Sequence, residues 1–304
     1  MLCMRKPLLN IMPTEALHIL TPVKETNAAN HITKQGVCTM DKAIISLSFD
    51  DGREDNYRLF KKFTIPHNIP VTLNVATAYV DGSMPVESWP TDKKPMTKEQ
   101  VIELSGCSLI ELALHGDAHD NTEPDVRAGR DKLASWIGSP EDGKWGFASP
   151  YSKLPVEDFV SPDAPPFFKN DILYMRTGLK KEQLSRPREL CRKASKVLPL
   201  PIFYRISYGY AFMQECPDRV VYSFPVFSML SFKYVKGIID TAIRYKGAVT
   251  LMFHSIEPDS ESTDEWSWDS GKFRMLCAYL VNMQKKNKLE IATTRDLYNR
   301  IKTD

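Results

Sequence analysis

The chain has 304 residues, 42% of them apolar, which is enough for one large α/β domain or two small ones and too much for a disordered polymer. Its 40 basic residues nearly cancel its 38 acidic ones, and no block of like charge stands out, so nucleic acid is not an expected partner. Six cysteines without a CxxC pair or regular spacing argue against both a disulfide framework and a structural zinc cluster.

In the first twenty residues Asn10, Pro13, Thr14, Glu15 and His18 interrupt any apolar stretch of secretory length. No later segment approaches the roughly 18 apolar residues of a membrane span. A cytoplasmic protein with no membrane span is the expectation. Residues 1–40 show no period and read as an N-terminal extension or irregular edge, with the main domain at residues 41–304. Ala43 to Phe49 (AIISLSF) is a buried strand that stops at Asp50-Asp51-Gly52. A helix through Tyr57 to Phe63 and a strand at Val71 to Val75 follow. Thr97 and Gln100 form a capping box for a helix reaching Leu104. A strand from Ser108 to Leu114 runs into His115. Val126 to Ile137 reads as helix, Trp145 to Ala148 as a short strand entering Ser149-Pro150-Tyr151, and Ile172 to Arg176 as a further strand. Residues 152–222 otherwise carry little pattern. Val235, Ile238, Ile239, Ala242 and Ile243 mark an amphipathic helix ending before Gly247. The strand Ala248 to Phe253 delivers His254. A helix through Phe273 to Met283, a strand at Leu289 to Ala292 and a last helix from Arg295 complete the chain. Strands alternating with helices predict a parallel sheet wrapped by helices.

The acidic pair, two histidines, the Pro-Tyr turn and the last histidine each follow a predicted strand, and in β/α folds such strand ends converge on one face. His115 and His119, four apart, can aim both imidazoles at one point on a helical turn or a tight loop. The spacing alone is weak, since HxxxH arises by chance in a chain with six histidines. Asp51 supplies a third, anionic ligand, and two histidines with one carboxylate leave an open position for water. An isolated Asp-Asp-Gly is more often a turn, and an isolated His254 could be a core histidine. Two carboxylates leaving an apolar strand together call for a cation between them. Trp266 and Trp268 offer flat indole faces for stacking on a sugar, although the plainer reading is that they fill the gap between the last barrel elements.

Taken in order, Ser48-Phe49-Asp50-Asp51-Gly52, His115-Gly116-Asp117-Ala118-His119, Ser149-Pro150-Tyr151 and Leu251-Met252-Phe253-His254 resemble the polysaccharide deacetylases of carbohydrate esterase family four, over residues 41 to 300. The resemblance implies an incomplete, distorted (β/α)7 barrel and a hydrolase of linear amides acting on N-acetylated carbohydrate. It implies one divalent metal, Zn2+ with Co2+ as an alternative, held by Asp51, His115 and His119. Asp50 is then the base that activates the metal-bound water, Tyr151 gives its backbone N–H to the oxyanion, and His254 is the acid that protonates the leaving amine. Two other readings go with this pattern: an amidohydrolase of the same fold acting on a small non-sugar amide, and a catalytically weak glycan-binding protein. Three departures stand out. Gly116 replaces a hydroxyl residue, Ala148 replaces the arginine that orients the base, and the tryptophan-containing fourth motif has no match. Arg176, at the end of another predicted strand, is the candidate to replace the missing arginine.

Overall fold

The computed structural model describes residues 40–86, 89–90, 93–179, 184–258 and 264–303, so the expected extension lies, apart from Met40, outside the described residues. Ten strands occur among them: β1 (Ala43–Phe49), β2 (Val71–Val75), β3 (Ile110–Leu114), β4 (Trp145–Ala148), β5 (Ile172–Thr177), β6 (Val220–Pro225), β7 (Ala248–Phe253), β8 (Ser255–Glu257), β9 (Ser267–Asp269) and β10 (Leu289–Ala292). β1 to β7 follow one another around a sheet in chain order, all parallel, and β7 closes onto β1. The result is a closed seven-stranded parallel barrel with helices between the strands, as the alternating pattern predicts. Six of these seven strands are buried at every position, which is why they read in the sequence as largely apolar runs rather than as alternation.

The barrel is distorted at two seams. β1 pairs with β2 only at Ser48 and Phe49, because β10 pairs with Ala43 to Ser46. β3 meets β4 at the single pair Leu114 and Phe147. Both seams hold at their C-terminal ends, so the strand ends that carry the site residues stay in register. Phe49 lies opposite Phe253 and Leu114 opposite Phe147, which sets Asp50 beside His254 and His115 beside Ala148 along the rim.

The first helix runs from Glu54 to Leu59 and continues as a π-helical turn, Phe60–Thr64, and a 3-10 turn, Ile65–His67, in place of the uniform helix expected through Tyr57 to Phe63. The Thr97 capping box is present in both directions. Residues 152–222 hold helices at Val156–Val160, Pro166–Asn170, Arg186–Val197 and Pro201–Tyr208 together with β6. β6 was hidden because VVYSFP is short and carries a buried serine and a proline.

Candidate active site

Asp50 and Asp51 leave β1 at the rim, where both side chains are 3% exposed. Asp51 sits at φ 77°, His119 at φ 60° and Tyr151 at φ 53°, a left-handed backbone that side-chain-bearing residues adopt only where the surroundings enforce it. Three of the six residues expected at the centre are therefore held by a strained backbone.

Asp51 Oδ1 lies 3.5 Å from His115 Nε2 and 3.4 Å from His119 Nε2, and the two imidazole nitrogens are 3.1 Å apart. One ligand atom from each residue falls within 4.8 Å of the others. His115 Nδ1 donates to the Ala148 carbonyl at 2.8 Å, and since a carbonyl only accepts, Nε2 is left to face the cluster. Burial, and then the neighbouring His115, lower the His119 pKa to about 4, so its ring is neutral at pH 7. For His115 burial is outweighed by the Asp50 and Asp51 carboxylates, and its pKa is raised. In the metal-free chain a proton is thus drawn to the point where a cation would lie. Asp51 Oδ1 is buried without a hydrogen-bond partner. A carboxylate oxygen lacking a donor beside two imidazole nitrogens is costly without a cation, and one carboxylate with two imidazoles suits a borderline divalent ion. The three residues fit such an ion.

The other oxygen of Asp51 accepts from Arg53 Nε at 3.1 Å and lies 3.1 Å from Nη2. Arg53 also donates to Ser255 Oγ at 3.1 Å and to Asp264 at 2.5 Å, and its guanidinium stacks 4.7 Å over Trp89. Burial would raise the Asp51 pKa, but His254, His115 and Arg53 together hold it well below the ordinary carboxylate range. Sequence reasoning missed Arg53, Asp264 and Trp89. Only the position of Arg53 directly after Asp-Asp-Gly could have drawn notice.

Asp50 is gripped by Arg176, whose Nη2 lies 2.8 Å from Oδ1 and 2.7 Å from Oδ2, and Oδ1 also accepts from Asn74 Nδ2 at 2.8 Å. Arg176 is buried, and its Nη1 donates to Ser223 Oγ. In register, Arg176 lies directly opposite Ala148 on the neighbouring strand. The guanidinium absent from β4 is supplied at the same level by β5. Burial alone would raise the Asp50 pKa, and Arg176, followed by His115 and His254, outweighs it and holds the carboxyl below its usual value.

His254 is half-buried, with its ring 4.9 Å from that of Trp266 and its carbonyl fixed by Asn56 Nδ2 at 2.8 Å. Burial lowers its pKa, while Asp51 and Asp50 partly oppose this. Tyr151 is exposed with its ring 4.5 Å from that of His119. Its turn closes through Ser152 N–H on Ser149 O and Lys153 N–H on Pro150 O, and neither bond uses the Tyr151 N–H.

The two tryptophans separate. Trp266 is 39% exposed beside His254. Trp268 is fully buried, packs against Phe253 and donates its indole N–H to Leu230 O at 2.8 Å. The expectation that Trp268 stacks on a sugar is corrected: both faces of its ring belong to the core.

Gly116 has its own reason. At φ 76°, a Cβ there would fall 2.3 Å from Asp125 Oδ2 and 2.7 Å from Asp120 O. The Asp125 carboxylate occupies that space and accepts from the N–H groups of Asp117, Ala118 and Asp120 at 3.1, 2.7 and 3.0 Å, fixing the loop that carries His119.

No family model matches the chain, and no curated protein does. Solved structures do. The chain is similar to a de-N-acetylase from Aggregatibacter actinomycetemcomitans, at 18% identity over 45% of this chain and 63% of that one, with a TM-score of 0.33. It is similar to a family 4 acetyl xylan esterase from Clostridium thermocellum in complex with cobalt, at 12% identity over 84% and 90%, with a TM-score of 0.41. A peptidoglycan deacetylase from Bacillus subtilis matches at 11% identity over 86% and 92%, with a TM-score of 0.43. Less than two thirds of the first of these chains is spanned. At identities and TM-scores this low the likenesses carry no argument about what this chain does.

Proposed function

We propose that the protein is a metal-dependent hydrolase that removes N-acetyl or related acyl groups from a glycan or a glycan precursor. One observation carries the reading: an Asp51, His115 and His119 cluster, with Asp51 and His115 buried and His119 half-buried, stands beside a second carboxylate held in its ionised form, Asp50, and a half-buried imidazole, His254. A site for binding alone needs neither of the last two. The substrate class rests on the four ordered motifs, which are those of polysaccharide deacetylases.

A divalent ion, zinc by its donor set with cobalt as a near substitute, would be held by Asp51, His115 and His119 and supplies Lewis acidity to water and to the acyl carbonyl. Asp50 takes a proton from the attacking water. Its Oδ1 is already occupied by Arg176 and Asn74, whereas Oδ2 accepts from Arg176 and retains a lone pair. The low pKa keeps the group ionised at neutral pH and ready to accept. As the carbonyl carbon becomes tetrahedral its oxygen gains charge, and the Tyr151 N–H, unused by its own turn, is the donor for it. The C–N bond breaks only when the nitrogen leaves as an amine, and His254 provides that proton. The donor is the imidazolium form, which burial makes a stronger acid than a solvated one but also scarcer at neutral pH, while the Asp51 and Asp50 carboxylates beside it favour its protonation. Trp266, half-exposed beside His254, offers a ring face to the sugar that bears the departing amine.

The test is acetate release from a panel of N-acetylated oligosaccharides and nucleotide-linked or lipid-linked precursors, before chelation, after it and after return of zinc or cobalt. Release abolished by chelation and restored by metal is expected. No release from any member with either metal would overturn the proposal.

A further inference from the structure

Between β5 and β6 the chain builds a helical hairpin whose outer surface has no place in the chemistry above. Its helices, Arg186–Val197 and Pro201–Tyr208, are joined through Leu198, Pro199 and Leu200. The joint reads VLPLPI, six consecutive apolar residues of which four point outward: Val197 is 83% exposed, Leu198 51%, Leu200 42% and Ile202 47%. Leu190, one helical face back from Val197, is 66% exposed, and Ile206, one turn on from Ile202, is 39% exposed. Thirteen large hydrophobic side chains are exposed among the described residues, and these are six of them, gathered within 17 positions. A cluster of this kind marks an interaction surface, whereas single exposed leucines do not.

The charge around the tip identifies what it meets. Arg186, Arg188, Lys193 and Lys196 are all exposed on the first helix. The one acidic residue of the hairpin, Glu189, is half-buried and already engaged by Arg192 at 2.6 and 2.7 Å. An apolar tip ringed by cations is complementary to the boundary between acyl chains and anionic headgroups, with the leucines entering the first and the cations meeting the second. Pro199 and Pro201 stiffen the tip. No described helix is long and apolar enough to cross a membrane, so the contact would be interfacial.

The hairpin is anchored from beneath. Tyr204 is fully buried and donates to Tyr234 O at 2.9 Å, and Ser207 Oγ donates to Arg188 O at 3.1 Å. Gly237 admits Tyr204 and Pro199, since a Cβ there would fall 2.8 Å from the tyrosine ring and 2.9 Å from the proline. The outer side chains take no part in these contacts and can be changed without disturbing them.

We propose that this hairpin docks the protein on the surface of an anionic bilayer, inserting the Val197 to Ile202 tip among the lipid headgroups. The docking does not depend on the chemistry of the barrel rim and is tested apart from it. Sedimentation of the full chain with vesicles of phosphatidylcholine alone is compared with vesicles of phosphatidylcholine and phosphatidylglycerol in equal parts. Binding to the anionic vesicles that weakens with salt is expected, with little binding to the neutral ones. Lys193→Gln with Lys196→Gln should lower partition by about 25-fold, taking roughly 5-fold for each cation lost near such a surface. Leu198→Ser with Leu200→Ser should lower it by about tenfold or more on the same vesicles. Both variants should keep the circular dichroism and melting behaviour of the parent. Absence of binding to anionic vesicles would overturn the proposal, as would binding that survives both double substitutions and so belongs to another segment. Concentration-dependent self-association abolished by Leu198→Ser with Leu200→Ser, without vesicle binding, would assign the tip to a second copy of the chain instead.

Discussion

Two of the buried carboxylates of the barrel, Asp50 and Glu111, are treated in opposite ways. Asp50, at the C-terminal rim, is matched to the Arg176 guanidinium and kept ionised. Glu111, lower on β3, accepts from Thr72 Oγ1, Tyr174 OH and the Arg295 N–H at 2.7 to 2.8 Å, and burial raises its pKa despite those bonds. Around Glu111 two hydroxyls and a backbone N–H satisfy both of its oxygens, with the Arg295 guanidinium standing off at 3.8 Å. Around Asp50 the neighbours are charged, three backbones are strained, and Asp51 Oδ1 has no partner. A polar cluster with its bonds complete serves the fold, and one left incomplete under strain is set up for a ligand.

Substitutions at the two ends sharpen this contrast. The largest effect is expected at the rim: Asp50→Asn and His254→Ala should each lower turnover by about 10²-fold or more, the usual size of a lost base or acid, as read by single-turnover acetate release. Arg176→Ala leaves Asp50 buried without its cation and should destabilise the metal-free chain by about 3–5 kcal/mol in denaturant unfolding. It should also move the acidic limb of the pH–rate profile to higher pH, because the Asp50 pKa rises when the guanidinium is gone. Ala148→Arg in that background should restore part of both, since the two positions face each other across β4 and β5. Gly116→Ser should cost about 1–3 kcal/mol through its left-handed backbone and should weaken metal binding by displacing the loop of His119, measurable by calorimetric titration with zinc.

The smallest effect on catalysis is expected at Glu111. Glu111→Gln should leave turnover within about twofold, because no group in the reaction touches it. Its signature is in stability. A carboxyl whose folded pKa is raised favours folding while protonated, and that contribution is lost as the pH rises through the raised value. The parent should therefore lose melting temperature over the window above the ordinary glutamate pKa, and Glu111→Gln should flatten that slope. Asp50 works in the other direction, adding stability that disappears as the pH falls through its lowered value. A large activity loss in Glu111→Gln would break the division between the two ends.

Much of the rim was legible before any coordinates, because parallel strands buried on both faces read as apolar runs and the residue after each run is a rim residue. Asp50, His115 and His254 were found in this way. The support around them was not legible. Arg53 and Asp264 lie 211 positions apart and meet only through the fold. Asn74 is a single polar residue inside VTLNV, a pattern that local reading treats as a fault in a strand. Arg176 was named from the sequence because it ends a predicted strand, but only the pairing of β4 with β5 places it opposite Ala148 and on Asp50. Trp268 shows the reverse error: its flat indole face suited a sugar as well as Trp266's did, yet Trp268 on β9 is buried while Trp266 just before it stays at the surface.

The central claim is that Asp51, His115 and His119 hold a cation while Asp50 and His254 move protons beside it. Its most direct test is elemental analysis of the purified parent, His119→Ala and Asp50→Asn, each paired with single-turnover acetate release. One divalent ion per chain is predicted in the parent and in Asp50→Asn, and a markedly lower content in His119→Ala, with rapid release from the parent alone. Full release from thoroughly metal-free parent, or an ion lost in Asp50→Asn and kept in His119→Ala, would contradict it.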